Sequence, residues 1–184
     1  MIHNTPEAQL EISAWNSHRA RQGYVPPKRA THVAAWRSII PALDKSEMMV
    51  RDIIERDLAD LAGISGIRVG QTMKLADRVA KKVSALRTQT IKNVFRQLRS
   101  QVGNVKVKGA TLAAWAQKIS REDASRLDKA IRTGLIAGND NTEIARSVVG
   151  SANVNGVDGA TEVTRNHIIL LARTAIKSLK KPGQ

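Results

Sequence analysis

The chain of 184 residues contains no cysteine. Disulfides, thiolate metal sites and cysteine nucleophiles are therefore all excluded. Aromatic residues make up only 3% of the sequence, so the apolar material is mostly Ala, Val, Ile and Leu. That composition packs helices well and offers little for a β-sandwich core. Long apolar runs are also missing: nothing approaches the roughly 18–20 residues of a membrane span. The N-terminal MIHNTPEAQLEISAW has neither a basic nor an apolar leader region, so no signal peptide is expected.

Negative charge is scarce in one place. Residues 1–60 carry 8 basic and 8 acidic side chains, whereas residues 61–120 carry 12 basic ones and a single acid, Asp77. The last third is close to balance, with 10 basic and 7 acidic residues. The formal net charge of +14 and the pI of about 10.8 thus come from the middle of the chain. Such an excess implies a polyanionic partner: nucleic acid, an anionic membrane or an acidic protein surface.

The pattern of periodicity and breakers predicts an all-α, elongated, multi-helix fold of seven or so helices. Residues 1–40 read as an N-terminal arm: a helix over 5–22 with Thr5 as cap, a Pro-Pro joint in YVPPKRA, and a short helix over 31–39 stopping before Pro41. The helical domain is expected to occupy 41–184. Asp44 or Ser46 is expected to cap a helix to about Ala62, with Met49, Ile53, Leu58 and Leu61 on its apolar side. GISG at 63–66 is a turn. A long helix follows over about 69–100. Val102, Val105 and Val107 alternate with polar residues in QVGNVKVKG, which suggests a small β-excursion near 101–109 or a stretched loop. A short helix around Trp115, a new helix opened by Ser120 and Asp123, a short helix after NDN and a final helix over 161–181 complete the chain. Ile168, Leu171, Ala175, Ile176 and Leu179 mark the apolar face of the last one.

The long helix carries the clearest signal. KLADRVAKKVSALRTQTIKNVFRQLR, residues 74–99, holds eight basic residues and one acid. With about 100° per residue, Lys74, Arg78, Lys81, Lys92, Arg96 and Arg99 fall within about 40° of one line, and Lys82 lies nearby. Ala85 and Thr88 fill the middle of that line with small side chains. Leu75, Val79, Val83, Leu86 and Val94 occupy another side, which Ile91 and Leu98 widen. The basic line would span about 37 Å. It lacks the Glu/Lys interleaving that stabilises an ordinary exposed helix, and like charges four apart weaken it instead. Three readings remain open: a solvated face, a polyanion contact, or a fit to an acidic protein groove. A membrane-surface helix fits less well, because Phe95 is its lone aromatic. Binding to nucleic acid would be non-specific, since no helix-turn-helix, zinc-finger or RNA-binding signature is present.

No catalytic constellation emerges. His3, His18, His32 and His167 are dispersed, without a helical His or Glu partner for zinc. AGNDNTEIA lacks calcium-loop spacing, and SANVNGVDGA lacks the Gly-Lys-Ser/Thr of a phosphate loop. Asp123 and Asp128 fall on different sides of a helix, and capping accounts for Asp123. No enzyme activity, metal or cofactor is expected. Trp15, Trp36 and Trp115 read as packing anchors, and Trp15 and Trp36, flanking the Pro-Pro joint, equally suit a neighbouring subunit.

The C-terminal part, SREDASRLDKAIRTGLIAGNDNTEIARSVVG and then TRNHIILLARTAI, resembles the phage head morphogenesis, or minor head protein, family. The shared features are Ile131, Gly134, Leu135 and Gly138, the Glu-Ile-Ala-Arg of residues 143–146, and the Ala-Arg-Thr of residues 172–174. Members commonly continue into a Cys/His-containing segment, which is not carried over to this chain. The resemblance, mainly in residues 120–176, implies a tailed-phage virion structural protein at the head or portal vertex. It would be made in the host cytoplasm, assemble in several copies with portal, capsid or head–tail proteins beside packaged double-stranded DNA, and assist DNA ejection. No membrane partner is expected. The alternative is a non-specific double-stranded DNA-binding protein acting outside the virion.

Overall fold

The structure, a computed structural model, describes residues 30–59, 69–150 and 159–179. The arm helix over 5–22, the Pro-Pro joint, Trp15 and the 63–66 turn lie outside these residues, as does the side chain of Trp36. Within them the fold is all-α: α1 (Ala30–Ala59), α2 (Val69–Val102), a hairpin of β1 (Lys106–Val107) and β2 (Ala110–Thr111), α3 (Leu112–Ile136), α4 (Asn141–Val149) and α5 (Ala160–Ser178). Among the described residues there are five helices, and two of the breaks expected within them are absent.

The first missing break is at Pro41, which lies inside α1. The boundary expected between residues 40 and 41 falls mid-helix. An internal proline costs roughly 3 kcal/mol, through a lost hydrogen bond and a clash one turn back. Here Pro41 and Arg37 are both exposed, so the break in the hydrogen-bond ladder lies on the solvent side of α1. Ile39 and Leu43 on the opposite side are fully buried. Each such side chain contributes about 1.5–3 kcal/mol, which is enough to carry the helix through. Asp44 and Ser46 accordingly cap nothing. The buried side of α1 is Val50, Ile54 and Leu58, whereas Met49 is 40% exposed.

The second is at Ser120. α3 runs unbroken through it, and its cap is Thr111, whose hydroxyl accepts from the Ala114 N–H. The Ser120–Asp123 pair resembles a capping box, but both residues are buried mid-helix.

A β-hairpin does follow α2, but it starts later than the valine pattern implied: Val102 ends α2, and of the three valines only Val107 lies in a strand. Its two central residues, Lys108 and Gly109, have φ of 50° and 79°, the twist that a two-residue hairpin requires. Trp115 fixes it to α3 by donating from Nε1 to the Val107 carbonyl at 2.8 Å. The Trp115 ring also meets His167 edge-on, with centroids 5.5 Å apart.

α3 ends in a Schellman turn: the Asn139 N–H donates to the Gly134 carbonyl, and the Gly138 N–H to that of Leu135. Gly138 supplies the φ of +76°. α4 opens on a reciprocal capping box between Asp140 and Glu143. At the α3–α4 joint, a Cβ on Gly134 would lie 2.7 Å from Ile144 Cγ1. Ile144 is fully buried and has nowhere to retreat. Helix propensity alone predicts that Gly134→Ala stabilises by about 1 kcal/mol; overpacking predicts a loss of about 1–3 kcal/mol. The loss is the expected outcome in urea unfolding, and a gain would show that the two helices do not approach this closely.

The core falls into two apolar halves. One gathers Ile39 and Leu43 of α1, Ile91 to Val102 of α2, the start of α3 and the inner face of α5. The other gathers Val50, Ile54 and Leu58 of α1, Ala76 to Val83 of α2, Leu127 and Ile131 of α3, and α4. In α5, Ile168, Leu171, Ala175 and Ile176 are buried as expected, but Leu179 is 49% exposed.

Candidate nucleic-acid interface

α2 is 34 residues long, and its buried stripe comprises Ala76, Val79, Val83, Ile91, Val94 and Leu98. The opposite side carries Lys74, Arg78, Lys81, Lys92, Arg96 and Arg99, all exposed. No ion pair ties any of these six to a described carboxylate. Two of them bond to neutral amides instead: Arg96 Nη1 donates to Asn93 Oδ1 at 3.4 Å, and Arg99 Nε to Asn104 Oδ1 at 2.9 Å. These bonds orient the guanidinium groups without cancelling their charge.

Lys82 differs from the other predicted contacts. Its ammonium pairs with Asp57 of α1 at 2.5 Å, so it ties α1 to α2 and is removed from the open set. Burial raises the Asp57 carboxyl pKa, but hydrogen bonds from Lys82 and Arg56 outweigh it and hold the group below its usual range. Asp77, the lone acid of the middle third, is likewise consumed. It pairs with Arg132 of α3, which also holds Asp128 at 2.8 Å. The Arg132 guanidinium pKa is raised mainly by its hydrogen bond to Asp128. Asp77, Asp128, Lys81 and Arg132 line an open groove of about 360 Å³ between α2 and α3, and its carboxylates are already engaged. At the far end of α2, Lys106 and Lys108 stand exposed on the hairpin. They lie off the helix, where helical periodicity could not align them with the stripe.

One cation of α2 belongs to neither group. Arg87 falls at about 220° when Lys74 is set at zero, in the middle of the apolar sector. It is 1% exposed. Its Nε donates to Asp123 Oδ2 at 3.0 Å, and its Nη1 lies 3.9 Å from Glu47 Oε1. Thr164 Oγ1 donates to Asp123 Oδ1 at 2.5 Å and accepts from Arg126 Nη2 at 2.8 Å. Arg165 Nη1 reaches Asp44 at 2.6 Å and Glu47 at 3.3 Å. Three guanidinium groups thus face three carboxylates drawn from α1, α2, α3 and α5. On each of α1, α2 and α3 the charged residue sits one turn from a buried apolar residue of either half: Glu47 between Leu43 and Val50, Arg87 between Val83 and Ile91, Asp123 between Ile119 and Leu127. The charged layer is what divides the core. Asp123 is therefore a buried ion-pair partner and not a cap. The signal that finds this layer in a sequence is the lone arginine on an otherwise apolar helical face.

The residues that carry the family resemblance have structural roles of their own. Gly134 permits the α3–α4 approach, Gly138 ends α3, Glu143 closes the capping box, and Ile144, Ala145 and Ala172 are buried. Among the described residues no group of three His, Asp or Glu is placed to hold a metal, and no helix is long and apolar enough to cross a membrane. Comparisons with protein-family models, with curated proteins and with solved structures return no match. Among the described residues, fold and face together define a helical protein whose α2 carries an exposed line of cations without carboxylate partners.

Proposed function

We propose that this chain is a non-enzymatic structural protein of a tailed-phage virion, placed at the head or portal vertex, whose α2 face contacts packaged double-stranded DNA. The observation that carries the reading is the line of six exposed cations on α2, none of them paired with a described carboxylate. Placing several like charges on one line weakens the free helix, and a polyanion offsets that cost while releasing its own counterions. The setting comes from the resemblance of residues 120–176 to phage minor head proteins. Partners of this class are portal, capsid or head–tail proteins, in several copies, with the protein in the host cytoplasm before assembly.

Two measurements test it together. Mass spectrometry of purified particles of the encoding phage should detect the protein, and its absence would sink the virion reading. Titration of a random DNA duplex should show binding at ~50 mM salt that falls steeply as salt rises. Binding without presence in particles supports the alternative, a non-specific duplex-binding protein acting outside the virion. Presence in particles without binding turns the stripe toward an acidic protein surface.

A further inference from the structure

The six cations are two copies of one arrangement. Lys74, Arg78 and Lys81 recur as Lys92, Arg96 and Arg99, each member 18 residues on. Eighteen residues make about five whole turns, so the second triad repeats the azimuth of the first about 27 Å further along the axis. Between Lys81 and Lys92 lies a stretch of about 16 Å with no exposed cation on this line except Lys82, which Asp57 holds aside. Its exposed positions are Ala85 on the line and Gln89 to one side, with the half-buried Thr88 on the other. The face is therefore two charged pads joined by a low, neutral saddle.

Resting on the polyanion reading above, we infer that α2 binds duplex DNA by straddling its major groove, each triad gripping the phosphates of one strand. The major groove is about 12 Å wide and the minor groove about 6 Å. A neutral gap of about 16 Å clears the wider groove and brings the charges down on its two rims. Over the narrower groove the pads would overshoot both rims. The small residues Ala85 and Thr88 let the helix settle between the strands, and Gln89, the exposed amide of this stretch, is bonded to Asn93 Oδ1 at 3.0 Å, so the contact rests on phosphates and is sequence-independent. Phe95, the one aromatic of α2, is 2% exposed, so the face offers no platform on which single-stranded bases could stack.

The test uses the full chain and a random 20-base-pair duplex, with affinity measured against salt. Six phosphate contacts predict a log–log slope of about −5.4, and three predict about −2.7. Replacing Lys74, Arg78 and Lys81 with glutamine should halve the slope, and so should replacing Lys92, Arg96 and Arg99. Replacing all six should leave no measurable binding. If one triad carries the whole slope and the other is silent, the straddle is wrong while DNA contact stands. A second duplex carries bulky groups at pyrimidine C5, which fill the major groove without altering phosphate charge. It should bind at least tenfold more weakly; equal affinity overturns the groove assignment and leaves a contact along one backbone. If neither duplex binds the unmodified protein at ~50 mM salt, the polyanion reading itself fails, with DNA excluded and an acidic protein surface left as the partner.

Discussion

Replacing Arg87 with methionine is expected to destabilise the protein by roughly 3–5 kcal/mol, the usual cost of removing one partner from a buried ion pair. For a chain of this size that lowers the Tm by about 6–20 °C. The size of the effect follows from what is left behind. Glu47 and Asp123 are 2% and 0% exposed, and each would be left with one guanidinium fewer. Thr164 and Arg126 still serve Asp123, and Arg165 still serves Glu47, so partial survival of the fold is expected. A companion change separates loss of charge from loss of packing. Removing Asp123 as well, in an Arg87→Met, Asp123→Leu double variant, deletes the carboxyl that Arg87 bonds directly and leaves Glu47 with Arg165, and apolar replacement of a buried pair is often near neutral. The double variant should therefore be less destabilised than the sum of the two singles in urea unfolding. A single Arg87→Met variant within about 1 kcal/mol of the parent would mean that the layer is not paired as described.

The second large effect is on binding. Reversing Lys81, Lys92 and Arg96 to glutamate leaves three cations and three carboxylates on the same line. Duplex DNA binding should become unmeasurable at ~100 mM salt, because the net neutralisation that drives counterion release is gone. The fold should survive, since all three residues are exposed and such surface positions usually shift stability by less than about 0.5 kcal/mol each. Far-UV circular dichroism and thermal unfolding check that half of the expectation. Persistent binding by a folded triple variant would place the contact elsewhere, with Lys106 and Lys108 of the hairpin as the next candidates.

The length and amphipathicity of α2 were legible in the sequence because a helix repeats its faces every few residues, and over 34 residues the count of agreeing positions is large. The hairpin was legible only in outline, because of the three valines that pointed to it Val107 alone lies in a strand and Val102 ends α2. The two false breaks share a cause. Pro41 and the Ser120–Asp123 pair are strong local signals, but both lie on helices whose buried residues continue on either side. Burial of Ile39, Leu43, Ile119 and Leu127 outweighs a local preference worth a few kcal/mol at most. Arg87 lies at an apolar azimuth of α2, a signal hidden among the other cations of that helix, and only its partners on α1 and α3 explain why it is there.

The sequence by itself determined which residues of α2 share a face and how much charge that face carries, because both are properties of a short stretch of chain. Tertiary structure alone decided which of those charges remain available. Lys82 is taken by a residue 25 positions away, Arg87 by one 36 away and Asp77 by one 55 away. Ion pairing and desolvation depend on distance in space, which helical periodicity does not encode. The six cations left facing outward are what the packing of α1 and α3 against α2 did not neutralise.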